Sequence, residues 1–197
     1  MRVYSKHDIL GQVLNLPRVS KHSKSFYHHV LRIISSFSTM VDVQVTVPSF
    51  VYLRANILCE HIEEEYEMTF KLNDLVWILY KDFMRHSFHK ADLYQLYKTF
   101  QERMDDSIEV YHYGQLVERF QHKSTQLNNI IVMKVPKKEV RNGEALLAEM
   151  DTLYPNALMF EDIISQLLIH FIEQYKHSSS KDMIHSLVKK AERYMGR

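Results

Sequence analysis

Twelve histidines and a lone cysteine, Cys59, are the side chains of widest chemical range in this 197-residue sequence. Metal binding is the first chemistry they suggest, with His28-His29 and the pair His86 and His89 as the best material. A structural zinc site needs closely spaced pairs of Cys or His. No cluster has that spacing, and Cys59 and His61, two positions apart, fall on different faces of a helix. No metal and no cofactor is expected. The run Glu63-Glu64-Glu65 reads as a solvated helix face, and no nucleophile stands at a spacing that gives it a base or a carboxylate partner. Gly11, Gly114, Gly143 and Gly196 are too scattered to form a loop that cradles phosphate. Enzymatic chemistry is therefore not expected.

Charge is more informative than any single titratable group. The formal net charge is only +1. Yet residues 1–40 carry Arg2, Lys6, Arg18, Lys21, Lys24 and Arg32 against Asp8 alone, whereas residues 41–88 carry four basic and eight acidic residues. That polarity describes a basic arm suited to phosphates beside an acidic region. Hydrophobic residues make up 46% of the chain and aromatics 12%, enough for a packed core. One cysteine rules out an internal disulfide framework and fits a reducing compartment. The sequence contains no bilayer-spanning apolar run and its start does not resemble a signal peptide, so a cytoplasmic protein with no membrane partner is expected.

The elements that would position these residues come in a repeat. Val41-Asp42-Val43-Gln44-Val45-Thr46-Val47-Pro48 alternates β-branched apolar residues with polar ones, the period of a strand with one buried face, and Pro48 ends it. From Val51 the period becomes helical: Val51, Ala55, Leu58, Ile62 and Tyr66 share a face. After the polar stretch Thr69 to Asn73, Leu75, Ile78, Leu79 and Phe83 mark a second helix, with Asp74 near its start. The same order returns from Asn129, whose strand again ends in Val-Pro; Val47 and Val135 stand 88 positions apart. That offset, without gaps, pairs Leu58 with Leu146, Ile62 with Met150, Phe70 with Leu158, Asp74 with Asp162, Leu75 with Ile163, Leu79 with Leu167 and Phe83 with Phe171. A third helix is expected over Ala91 to Met104 and its counterpart over Lys181 to Tyr194, with a further helix over His22 to Phe37. The resulting boundaries are a basic N-terminal arm and helix (1–40), a first unit (41–88), a helical linker (89–128), a second unit (129–177) and a C-terminal helix (178–197). A weaker likeness between Arg2-Val3-Tyr4 and Glu109-Val110-Tyr111, each followed by Gly-Gln, hints that the duplication begins near the N-terminus.

A lone short strand leaves its backbone groups without partners, so the two strands are expected to pair antiparallel with each other. Alternating strand, proline, helix, polar turn and helix resemble the ribbon-helix-helix family of β-ribbon DNA readers, to which Arc and MetJ belong. Val43 to Phe83 carries the resemblance well and Asn129 to Phe171 less closely; together they cover under half of the chain. Two motifs in one chain resemble the tandem-fused arrangement of the F-plasmid TraY protein. The resemblance implies a mainly α fold with a small two-stranded antiparallel β-ribbon, a tandem ribbon-helix-helix pseudo-dimer with extra helices. It also implies a sequence-specific double-stranded DNA-binding protein, a transcriptional regulator of phage or plasmid type that reads the major groove. Such a protein acts as a monomeric pseudo-dimer or as a higher homo-oligomer on DNA.

The family resemblance places base contacts on the strand face that points away from the helices. In the first unit these are Asp42, Gln44 and Thr46, with Gln44 able to hold adenine through two hydrogen bonds. In the second unit the face is Ile130, Val132 and Lys134, of which Lys134 suits guanine and Val132 a thymine methyl; this departs from the polar ribbon of the family. Phosphates would meet Thr69, Lys71 and Asn73 at the start of the second helix in the first unit. In the second unit Met159, Phe160 and Glu161 suit that task poorly, and Lys137, Lys138 and Arg141 replace them. Trp77 reads as a core or interface residue and not a base-stacking platform, and Lys189, Lys190 and Arg193 as a helix end that complements the dipole. A helical protein-protein interaction module without DNA binding is the alternative, with the acidic first helix and the extra helices as its working surfaces.

Overall fold

The computed structural model describes residues 2–15, 39–90, 93–104, 107–112, 115–121, 127–177 and 180–195. The helix expected over 22–37, and Arg18, Lys21, Lys24 and Arg32 of the basic arm, lie outside them. Among the described residues the protein is mainly helical: α1 (Ile9–Asn15), β1 (Met40–Pro48), α2 (Ser49–Tyr66), α3 (Leu72–Lys90), α4 (Leu93–Met104), β2 (Ser107–His112), β3 (Gln115–Gln121), β4 (Asn128–Pro136), α5 (Lys137–Leu153), α6 (Phe160–His177) and α7 (Ser180–Met195). Strand, helix, helix, helix thus occurs twice, as β1-α2-α3-α4 and β4-α5-α6-α7. No described helix is long and apolar enough to cross a membrane.

Both copies are built by the same local devices. β1 and β4 are each nine residues long and share one alternation of buried and exposed positions. Pro48 and Pro136 close the strands and open the helices, with φ of −56° and −58° at the two caps, since proline's fixed φ suits a helix entry and its missing N-H cannot extend a ladder. At the next helix start, the Lys71 N-H donates to Asp74 Oδ2 at 3.0 Å, and 88 positions on the Met159 N-H donates to Asp162 Oδ2 at 2.9 Å. The Leu75 and Ile163 N-H groups likewise bond the carbonyls of Lys71 and Met159. Where the copies differ, the backbone says why. α2 ends on Glu67 in the left-handed region, φ 49°, with the Glu63 carboxylate accepting the Phe70 N-H at 2.8 Å. α5 ends on an extended Tyr154, φ −137°, because the residue before Pro155 avoids the helical region. Glu63 is therefore half-buried and engaged, while Glu64 and Glu65 are solvated as expected.

The linker over 89–128 departs from the helical reading. It contains α4 and then a hairpin in which β2 pairs antiparallel with β3, Ser107 opposite Gln121 and His112 opposite Gln115, with an irregularity at Val110/Tyr111. Among the described residues this hairpin is a second two-stranded sheet in addition to the pair β1-β4. Ile108-Glu109-Val110-Tyr111 and Leu116-Val117-Glu118-Arg119-Phe120 carry β-branched and aromatic residues on either side of Gly114, and that local chemistry outweighs continuation of the helix. The weak N-terminal likeness does not extend to structure: residues 12–15 are helical where their counterparts, 115–118, lie in β3.

The chain divides into two compact units, Met1–Thr46 with Ile130–Ser165, and Val47–Asn129 with Gln166–Arg197. In the first, Val43, Val45, Ile131, Met133 and Val135 are buried beside Val140, Leu147, Met150, Phe160 and Ile163. The N-terminal segment packs there through α1 on α5. Its anchor is Glu144, fully buried, whose carboxyl accepts the Ser5 hydroxyl and the backbone N-H groups of Ile9 and Leu10. A buried carboxyl at the start of a helix is tolerated when such donors converge on it. Arg2 and the Tyr4 hydroxyl reach Asp151 at 2.8 and 3.0 Å. These contacts, with the Asn156 N-H as the largest influence, hold the Asp151 carboxyl below its usual range. In the second unit, α3 packs against α2 and α7, burying Leu58, Ile62, Phe70, Leu75, Ile78, Tyr80 and Leu187. Each such apolar side chain contributes about 1.5–3 kcal/mol on burial. Cys59 is buried here, and desolvation, reinforced by Asp74, Glu63 and Glu60, pushes its thiol up to about 12.

Candidate nucleic-acid interface

β1 and β4 are hydrogen-bonded neighbours. Their direction follows from the bonds at the two ends: the Ser49 N-H donates to the Leu127 carbonyl and the Lys137 N-H to the Thr39 carbonyl, each at 2.8 Å. The end of each strand meets the start of the other, so the ribbon is antiparallel. Both bonds belong to one register, which puts Asp42 opposite Lys134, Gln44 opposite Val132 and Thr46 opposite Ile130. Residues 44 and 132 are themselves 88 apart, so the centre of the ribbon coincides with the centre of the repeat.

Alternation does the rest. Val43, Val45 and Val47 are 0% exposed, as is Val135, with Ile131 and Met133 at 4% and 3%. The other face of the ribbon carries Asp42, Gln44, Thr46, Ile130, Val132 and Lys134, all exposed. Burial of the inner set fixes the register, because a slip of one residue would turn those valines outward. Backbone groups on the free edge of β1 are also occupied: His7 Nε2 lies 3.0 Å from the Asp42 carbonyl, and the Ser165 hydroxyl donates to the Thr46 carbonyl at 2.8 Å. Occupied edges discourage pairing with a further strand. What remains available is the outer face: a carboxylate, an amide, a hydroxyl and an ammonium beside two aliphatic side chains. A two-stranded ribbon is narrow enough for the major groove, and those groups are the ones that distinguish base edges.

The expected phosphate contacts fall into two sets. Thr69, Lys71 and Asn73 are exposed around the start of α3. There the Lys71 N-H is already taken by Asp74, so this helix start offers an anion less than an uncapped one. Lys137, Lys138 and Arg141 lie on the first turns of α5, with Lys138 exposed and the other two half-buried. Their counterparts on α2 are Ser49, Phe50 and Leu53. The Ser49 hydroxyl bonds the Leu127 carbonyl at 2.7 Å, while Phe50 and Leu53 are exposed at 39% and 60%, and Ile57, one turn on, at 64%. One copy thus presents cations where the other presents an apolar stripe. Trp77 is half-buried, its ring 6.0 Å from Tyr80 and under Lys81 Nζ at 5.6 Å. Among the described residues no three His, Cys, Asp or Glu side chains converge in a way that would hold a metal ion.

Comparison with protein-family models, with curated proteins and with solved structures returns no match to this chain.

Proposed function

We propose that this protein binds double-stranded DNA in a sequence-specific manner as a tandem ribbon-helix-helix pseudo-dimer, a transcriptional regulator of phage or plasmid type that acts in the cytoplasm. The observation that carries the reading is the pairing of β1 with β4, which leaves Gln44, Thr46, Asp42, Lys134 and Val132 on one exposed face. In this reading Gln44 and Thr46 meet base edges from one strand and Lys134 and Val132 from the other. Asp42 accepts from cytosine. Lys137, Lys138 and Arg141 form one set of phosphate contacts and Lys71, with Thr69 and Asn73, the other. The two half-sites then differ, and the preferred duplex is not a palindrome.

Selection of duplexes from a random library, followed by affinity measured across a salt series, tests this. Each phosphate contact adds about 0.9 to the slope of log K against log salt. Lys138→Ala with Arg141→Ala should therefore lower the slope by about 1.8 for every sequence alike. Gln44→Ala should instead lower discrimination at one base pair, by about 1–3 kcal/mol, with the slope unchanged. Absence of any selected sequence, or of salt dependence, would refute the reading.

The exposed stripe Phe50, Leu53 and Ile57 favours a second reading, a helical protein-protein interaction module without DNA binding. The same titrations decide between them, since that module gives no salt-sensitive DNA affinity.

A further inference from the structure

In the second compact unit the outer face of α2 is left uncovered. Val51, Ala55, Leu58 and Ile62 turn inward and are buried, while Phe50, Leu53 and Ile57 follow one another on the opposite face at helical spacing, all exposed. Leu127, whose carbonyl accepts the Ser49 N-H, adds a further exposed apolar side chain beside the start of the helix. The repeat does not require this stripe, because the equivalent positions on α5 are Lys138, Arg141 and Ala145 and the same strand-helix-helix unit forms around them. A contiguous apolar face without a structural duty marks an interaction surface.

Charge runs along that face in one direction, and the direction selects the partner. Arg54 is exposed beside Leu53, and Lys176 of α6 stands over the Phe50 ring at 4.8 Å, so the first half of the stripe is cationic. Glu60 and Glu64, both exposed, continue the face and make its second half anionic. Among the described residues neither Arg54 nor either of these glutamates is in an ion pair. A second copy turned end over end about the level of Ala55 brings Leu53 level with the partner's Ile57, and Phe50, under its Lys176, level with the partner's Glu60. Both ends are then satisfied at once, because a twofold interface makes every contact twice. A copy docked in parallel would oppose like charges.

We infer that α2 binds a second copy of this chain, antiparallel about a twofold axis, through Phe50, Leu53 and Ile57, with Lys176 of each chain against the partner's Glu60. The inference does not depend on DNA binding, and its test reads no DNA.

Sedimentation of the full chain at low salt, across a concentration series, tests it. The patch is smaller than a standard interface, so a dimer that dissociates at about 10–100 μM is expected, with no larger species. Leu53→Glu, at an exposed position, should leave a monomer throughout. Lys176→Glu alone and Glu60→Lys alone should each weaken the dimer about tenfold, since attraction becomes repulsion at both ends. The two changes in one chain reverse both ends and should restore the dimer, which a general loss of folding cannot imitate. A monomer at every concentration, a dimer indifferent to Leu53→Glu, or failure of the double reversal to restore what each single one weakens would overturn the inference.

Discussion

Converting the outer face of β4 into that of β1 is the sharpest perturbation the repeat allows. Under the offset of 88 this is the triple change Ile130→Asp, Val132→Gln and Lys134→Thr, after which both strands carry Asp, Gln and Thr in the same order. Ile130 and Val132 are 61% and 53% exposed, so little buried area is lost. The inner face, which sets the register, is untouched. The expense lies mainly in β propensity, on a scale spanning about 1 kcal/mol, and a total loss of about 1–2 kcal/mol is expected. Opposing charges at Asp42 and Lys134 also disappear, a cross-strand term of about 0.2–1 kcal/mol. Urea denaturation checks this half of the prediction. If the ribbon reads DNA, the variant has two equal half-sites and should select palindromic duplexes. It should discriminate against the native, asymmetric site by about 1–3 kcal/mol for each base pair whose contact has changed. Sequence selection on both proteins, with affinity of each for the other's site, is the assay. A well-folded variant that still selects the native site would refute the assignment of base contacts to this face. Collapse of the fold would instead refute the expectation that the three changes cost only about 1–2 kcal/mol.

Three further predictions concern the scaffold. Glu144→Ala strands three donors around a buried position, and a loss of about 3–5 kcal/mol in urea denaturation is expected; a loss under about 1 kcal/mol would mean the N-terminal segment is not anchored as described. Glu67→Gly relieves a left-handed conformation that disfavours side chains by about 1–2 kcal/mol, against about 0.5–1 kcal/mol for glycine's greater freedom when unfolded. The melting temperature should rise slightly, and a fall would contradict the geometry at the end of α2. Cys59 should resist thiol reagents at pH 8 in the folded protein and react at once in urea. Its thiol ionises near 9 when exposed and about 12 when folded, so the stability it contributes is complete below pH 9 and declines as pH rises toward 12. Unchanged stability across that window in a comparison with Cys59→Ser would remove the basis for the shift.

Much of the architecture could be read from residue types because it depends on local periodicity. Val43, Val45 and Val47 alternate with polar residues, and Pro48 and Pro136 mark where the period changes. Asp74 and Asp162 stand where each helix start needs an acceptor. The partner of β1 was also legible, by elimination: a solitary strand has unsatisfied groups, and β4 had the same pattern. The hairpin β2-β3 carries its own signal in Ile108 and Val110, but the amphipathic α4 just before it supports a helical reading of the whole linker. Glu144 is illegible in the sequence for a different reason. Its partners Ser5, Ile9 and Leu10 lie more than 130 positions away, and no periodicity marks a glutamate as buried.

The pattern of what the two copies share and where they part follows physical cost. Capping bonds of Asp74 and Asp162, the entry prolines, the reciprocal bonds of Ser49 and Lys137, and the inner valines and their counterparts recur, because loss of any one strands backbone groups or exposes apolar surface. Differences gather where substitution costs little: Gln44 against Val132 on the outer ribbon, Phe50 and Leu53 against Lys138 and Arg141, Asp82 against His170 on α3 and α6. Two identical chains around a twofold axis would be held to the same residue on both sides of each of these pairs. Joining the copies in one polypeptide lifts that constraint at the surfaces, while the core keeps apolar character and not identity, as in Ile62 against Met150 and Phe70 against Leu158. Two of the places where the copies differ in chemistry are accordingly the places where this protein is proposed to meet bases and phosphates.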